Sequence, residues 1–124
     1  MENLTLPQTQ YTPEIHLNLS GNFAFTGKSY PENTFEFYTP ILEWIRNYFQ
    51  ESPALTTTLN MEIIYFNSSS SKLFFDLFDI LDENQEKCRI EVNWIYDAEN
   101  EIAKEAGEDF IADFENLTIN LVCK

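Results

Sequence analysis

Over residues 57–81 the spacing of apolar side chains changes from alternate positions to helical intervals, and that one change leaves few folds open. Leu59, Met61, Ile63 and Tyr65 share one face of an extended run, and Ile64 and Phe66 add apolar cover to the other. Apolar residues on both sides mark a central strand covered on both faces. A polar corner follows, Asn67-Ser68-Ser69-Ser70-Ser71-Lys72. Leu73, Phe74, Leu77, Phe78 and Leu81 then form a helical stripe, with Asp76, Asp79, Asp82 and Glu83 on the wet side. A second strand, residues 89–96, carries Ile90, Val92, Trp94 and Tyr96 on one face. Strands joined through a helix are parallel neighbours linked by a right-handed crossover.

The flanks extend this plan. Residues 1–13 are polar, hold Pro7 and Pro13, and read as an extended lead-in. From Glu14 to Ser20 the chain alternates, with Ile15, Leu17 and Leu19 opposite Glu14, His16, Asn18 and Ser20. Ser20-Gly21-Asn22 turns, and Phe23–Thr26 returns as the second arm of a hairpin. Asn33 is placed to cap a helix, with Glu36 spaced as in a capping box. That helix carries Phe37, Tyr38, Ile41, Leu42, Trp44, Ile45, Tyr48 and Phe49 before Ser52-Pro53 ends it. Pro40 either starts it, with Thr39 as cap, or kinks a longer helix from Thr34; the apolar pattern begins before the proline and favours the kink. A helix over 98–114, loosened at Gly107, and a strand over 117–122 complete the order β-β-α-β-α-β-α-β. The expected fold is one α/β domain over residues 1–124, a mixed sheet of about four to five strands with helices packed against it.

Charge narrows the partners. The chain has 21 acidic and 7 basic residues, a net charge of -14. Such a field repels phosphate backbones and anionic lipid, which argues against nucleic-acid and membrane-surface roles. No apolar run is long enough to span a bilayer, and Met1-Glu2-Asn3-Leu4 does not open like a signal peptide, so a cytoplasmic protein is expected. Cys88 and Cys123, without CxxC spacing, read as reduced and partly buried thiols.

Catalysis finds little support. His16 is the only histidine, on the polar face of its strand, so a nitrogen-rich metal site is not expected. The many carboxylates leave an all-oxygen site open, yet Asp97, Glu99, Glu101, Glu105, Glu108 and Asp109 follow no EF-hand spacing and read by default as a solvated acidic face. Ser69-Ser70-Ser71-Lys72 matches the S-x-x-K pattern only because serines repeat there, and the partner motifs are absent. Three glycines leave no phosphate-cradling loop, and no cofactor is expected. That leaves the serine corner. Serine is a favoured helix cap, and a helix N-terminus is also where a phosphate is electrostatically favoured. On residue physics alone the corner is a cap or a phosphorylation switch.

Three segments carry a family resemblance: Ser29-Tyr30-Pro31-Glu32-Asn33, Ile64-Tyr65-Phe66-Asn67-Ser68-Ser69-Ser70, and Phe75-Asp76-Leu77-Phe78-Asp79-Ile80-Leu81. Thr12-Pro13 and the strand end at Trp94, Tyr96 and Asp97 fit with them. Together they resemble the SiaC family of bacterial regulatory phosphoproteins, whose fold is similar to STAS-type anti-anti-sigma factors. The resemblance runs from about residue 5 to about residue 115. It implies a STAS-like, non-catalytic partner switch. In that family a histidine-kinase-like (GHKL) serine/threonine protein kinase phosphorylates the hydroxyl residue directly after the Asn. A PP2C-type phosphatase removes the phosphate, and the unphosphorylated form binds and activates a diguanylate cyclase.

Carried across, the phosphoacceptor is Ser68, and the switch surface comprises Tyr30, Pro31, Glu32, Asn33, Asn67, Ser69 and Ser70. Ser stands where relatives can carry Thr, which keeps the chemistry, and Ser71 adds a hydroxyl where relatives can carry an apolar residue. A phosphate there adds about -1.5 to -2 charges at a helix N-terminus, which the helix accommodates while a snug or acidic partner surface is repelled. Two other readings fit the residues. One is a small-molecule-binding or enzymatic domain built on acidic and aromatic side chains. The other is an interaction domain without a switch.

Overall fold

The computed structural model describes residues 1–124. Six strands form one sheet in the order of the chain: β1 (Leu4–Leu6), β2 (Glu14–Leu17), β3 (Asn22–Ser29), β4 (Thr56–Phe66), β5 (Arg89–Tyr96) and β6 (Thr118–Cys123). The first two pairings are antiparallel, and β3–β4, β4–β5 and β5–β6 are parallel. Each parallel connection runs through a helix: α1 (Thr34–Glu51), α2 (Ser68–Glu83) and α3 (Glu101–Asp113). The mixed α/β sheet predicted from periodicity is what forms. The strand count is six because Leu4–Leu6, inside the extended lead-in, pairs with Leu17 through Ile15 and adds an edge.

All three helices lie on one face. Tyr48 of α1 packs its ring against Phe23 and bonds Thr57. Phe78 of α2 and Phe110 of α3 meet at 4.9 Å, and Phe110 reaches Trp94 at 5.2 Å. Phe23, Phe25, Leu59, Met61, Ile63, Val92 and Trp94 supply the sheet's half of this core, all buried. Such burial, at roughly 1.5–3 kcal/mol per large apolar side chain, is the main force joining the layers.

The central strand is therefore not covered on both faces. Across the opposite face one register row places His16, Ala24, Asn60, Asn93 and Asn120 side by side. Asn120 Nδ2 donates to Asn93 Oδ1 at 3.1 Å, and Asn93 Nδ2 donates to Asn60 Oδ1 at 2.9 Å. A hydrogen-bonded amide row of this kind belongs on a wet sheet face. The apolar signal that suggested double cover has another cause, a β-bulge. Gly27 pairs with Ile63 but Lys28 pairs with Tyr65, so Ile64 is the extra residue. Gly27 sits at φ 128°, a conformation only glycine adopts without strain. The bulge turns both Ile64 and Tyr65 away from the core and returns Phe66 to it, against Phe74 and Trp94.

Of three smaller expectations, the favoured course of α1 holds and the other two change. α1 is one helix from Thr34 through Pro40, capped by Asn33 Oδ1 accepting from Glu36 N–H at 3.0 Å, so Thr39 is not its cap. α3 is not loosened at Gly107: a Cβ there would lie 2.6 Å from both Leu121 Cδ2 and Trp94 Cδ1, so the glycine marks close approach of helix to sheet. Cys123 is exposed at the end of the edge strand, whereas Cys88 is half-buried. No helix is long and apolar enough to cross a membrane.

Candidate functional site

The corner between β4 and α2 forms because two polar residues divide the work of ending a strand and starting a helix. Asn67, not a serine, is the cap: its φ of -89° and ψ of 174° are extended, and its Oδ1 accepts from Ser70 N–H at 2.9 Å. Its own N–H donates to Ser29 O at 3.2 Å, which pins the corner to the end of β3. Ser68, Ser69 and Ser70 are then the first three residues of the helix.

Those serines are not equivalent. Ser68 and Ser69 are exposed, and Ser71 is half-buried. Ser70 corrects an expectation: read as part of the switch surface, it has no exposed area at all. Its hydroxyl donates to Ser29 O at 2.9 Å and accepts from Ser29 Oγ at 2.7 Å. Because the Ser29 hydrogen goes to Ser70, the Tyr38 hydroxyl must be the donor in its short contact with Ser29 Oγ. A one-way chain of hydroxyls thus runs from α1 through β3 to α2. Burial pushes the Tyr38 phenol well above its ordinary range, outweighing the opposing effect of Ser29, so it stays protonated. Every buried side-chain polar atom in the molecule finds a partner.

The Tyr30–Asn33 loop lies against this corner, so residues far apart in sequence converge. Tyr30, half-buried, packs edge-on against Tyr65 at 5.6 Å and against Tyr11 at 5.3 Å. Pro31 is buried beneath it, while Glu32 and Asn33 are exposed. Ile64 and Tyr65 continue the exposed apolar rim, and the Ile64 carbonyl accepts from Asn100 Nδ2 at 3.0 Å. Asn100 also caps α3, accepting from Ala103 N–H at 3.1 Å, so one side chain holds both the bulge and a helix start. Ser29 entered the sequence reading only as the start of a resemblance segment and Tyr38 only in an apolar stripe; neither was assigned to the site, and the Ile64–Asn100 contact was not foreseen. Nothing in the sequence marked the Ser29 hydroxyl as a partner of Ser70, and only the fold brings them together.

The histidine and the carboxylates were the other candidates in the sequence. His16 Nε2 lies 2.7 Å from Glu14 Oε1 on the open side of the sheet, and no three histidine, cysteine or carboxylate side chains converge. A groove of about 690 Å³ between α1 and α2 reaches Ser69, with Glu32, Glu43, Asp76, Arg46 and Lys72 in its lining. Its carboxylates are spread over the loop before α1 (Glu32), α1 (Glu43) and α2 (Asp76).

The comparisons with known proteins agree with one another. A family described as "SiaC family regulatory phosphoprotein" matches residues 6–124. An uncharacterized protein of Pseudomonas aeruginosa strain UCBPP-PA14 is 32% identical over 115 residues, 91% of this chain and 90% of that protein. The crystal structure of apo-SiaC from Pseudomonas aeruginosa is similar with a TM-score of 0.87 and 26% identity, over 98% of this chain and 99% of that one. SiaC as it occurs in the crystal structure of the diguanylate cyclase SiaD in complex with its activator SiaC gives 0.90 and 29%, over the same shares.

Proposed function

From the premise that this chain belongs to the SiaC family of regulatory phosphoproteins, we propose that it is a non-catalytic, cytoplasmic partner switch controlled by phosphorylation of Ser68. The unphosphorylated form binds and activates a diguanylate cyclase. A GHKL-type serine/threonine kinase adds the phosphate and a PP2C-type phosphatase removes it. The observation that carries the reading is the division of labour among the serines. Ser68 is exposed directly after the cap, its neighbour Ser69 shares a groove with Glu32 and Asn33, and Ser70 is committed to the interior.

The physics of the corner supports a switch that changes the surface and spares the fold. Asn67 does the capping, so modification of Ser68 costs no cap bond. A phosphate at the first helical residue brings about -1.5 to -2 charges to the positive end of the helix dipole, where an anion gains roughly 0.3–1 kcal/mol. The same charge repels any partner that presents carboxylates or a close-fitting apolar surface. The diguanylate cyclase is assigned by kinship with the Pseudomonas aeruginosa activator.

The test is phosphotransfer from the kinase, read by intact mass, followed by titration against the cyclase. The wild-type chain is expected to gain one phosphate and lose cyclase binding, and Ser68→Ala to gain none. Ser68→Asp should weaken cyclase binding with little change in melting temperature. Equal phosphate uptake by Ser68→Ala in the presence of an active kinase would move the site, and unfolding of Ser68→Asp would make Ser68 a structural residue.

A further inference from the structure

The helices leave one face of the sheet uncovered, and its charge differs from that of the rest of the molecule. Glu14, Glu62 and Glu91 are the carboxylates of its strands, and Lys28, Arg89 and Lys124 are its cations. These balance locally in a chain with 21 acidic and 7 basic residues, so the helical side and the loops carry nearly the whole net charge of -14. Both ion pairs of the molecule, Glu14 with His16 and Glu62 with Lys124, lie on this face. Lys28 and Arg89 remain unpaired there.

The middle of the face is uncharged. Asn60 and Ala24 are register partners, both half-buried. Asn60 Oδ1 accepts from Asn93, but Asn60 Nδ2 has no acceptor within the chain. Asn22 and Thr26 flank Ala24 on the same side of β3, and their side-chain oxygens accept no bond. Ile95 and Val122, paired in register, add an apolar strip towards one end. With strands ~4.8 Å apart and a rise of ~3.3 Å per residue, the six strands present roughly 600 Å² of face. Two such faces together bury on the order of 1,200 Å², which reaches the size of a specific, stable interface.

We propose that a second copy of this chain docks on the open sheet face, forming a dimer whose two-fold axis runs along the strands between β3 and β4. Each Asn60 then lies over Ala24 of the other copy, where its free Nδ2 can donate to Asn22 or Thr26. The contact is isologous, so every such bond is made twice. Side chains from both faces fill the ~10 Å between aligned sheets. Charge selects the occupant. Two copies meeting through their helices bring like charge together, and a basic protein is drawn to those helices, whereas the sheet face adds no net charge of either sign. The serine corner opens a helix on the covered side of the sheet, so this contact is compatible with modification of Ser68 and does not depend on it.

The experiment is sedimentation velocity of the full chain over a dilution series. Ala24→Asp and Asn60→Asp place a carboxylate at the centre of the face. Asn60→Asp keeps an oxygen to accept from Asn93 and removes only the free donor. Phe35→Asp and Ile102→Asp add the same charge at exposed positions of α1 and α3. Circular dichroism verifies folding, and Asn60→Asp decides the matter if Ala24→Asp does not fold. Wild type and the two helix variants are expected to pass from monomer to dimer as concentration rises, and the face variants to need at least tenfold more protein for the same shift. A wild type that stays monomeric throughout, face variants that dimerise like wild type, or loss confined to the helix variants overturns the proposal.

Discussion

Replacing the four corner serines one at a time should separate one structural residue from its neighbours. In Ser70→Ala the Ser29 hydroxyl loses its acceptor and the Ser29 carbonyl loses one of its two donors, keeping Asn67 N–H. Both groups are buried and water cannot replace Ser70 without opening the corner. Leaving a buried polar group unpaired costs about 1–3 kcal/mol. For a chain of this size that lowers the melting temperature by roughly 4–12 °C. Ser68→Ala and Ser69→Ala remove exposed hydroxyls and should stay within about 0.5 kcal/mol of wild type. Urea unfolding measures both, with an unchanged slope expected because the extent of unfolding is the same. Tyr38→Phe removes the other bond to Ser29 Oγ, so combining it with Ser70→Ala should cost less than the sum of the two. A Ser70→Ala midpoint that coincides with Ser68→Ala would refute the hydroxyl chain as a stabilising connection.

Asn67→Ala should destabilise by about 0.5–2 kcal/mol, with loss of first-turn protection at Ser70 N–H in hydrogen exchange. Gly107→Ala should destabilise by about 1–3 kcal/mol, because overpacking against Leu121 and Trp94 exceeds the helix-propensity gain of up to ~1 kcal/mol; a stabilised variant would show that α3 can shift. Tyr38 predicts alkaline sensitivity. Its folded pKa is raised above the ordinary value of 10.0, so its contribution is complete below about pH 10 and lost as pH rises beyond it. Tyr38→Phe should flatten that alkaline decline in denaturation midpoints recorded against pH.

The helices and parallel strands were legible because each buries a stripe with its own period, as Phe74, Leu77, Phe78 and Leu81 do in α2. What misled was local. Ile64 and Phe66 look alike in sequence, yet one points to solvent and the other to the core, because a bulge inserts one residue between Gly27 and Lys28 in the partner register. Gly27 is the only trace of it in the chain, and a lone glycine in a strand has several explanations. The lead-in hid β1, whose three residues are too short to show a period. Of the candidate site, the sequence offered the Tyr-Pro-Glu-Asn and Asn-Ser-Ser-Ser segments, which the fold brings close together. The ranking of the serines was not, since it depends on Ser29, 41 positions away from Ser70.

That dependence bears on how a phosphate at the corner would be read. The loop and the corner are one rigid unit: Ser29 O holds both Asn67 and Ser70, and Ser29 Oγ holds Ser70 and, through Tyr38, the first third of α1. A unit whose hydrogen bonds are all internal and buried resists rearrangement. Moving Ser70 would break two bonds at once, at about 1–3 kcal/mol for each group left unpaired, against roughly 0.3–1 kcal/mol gained by an exposed anion at the helix end. Breaking the bonds costs more than the anion gains, so phosphorylation of Ser68 should leave α1, α2 and the loop where they are. The prediction is that amide shifts of the phosphorylated chain change only within the first turn of α2, Tyr30–Asn33 and the side chains bordering Ser69. Shifts spreading to Tyr38 and the core of α1 would mean that the hydroxyl chain transmits the signal mechanically, and the electrostatic account of the switch would fall.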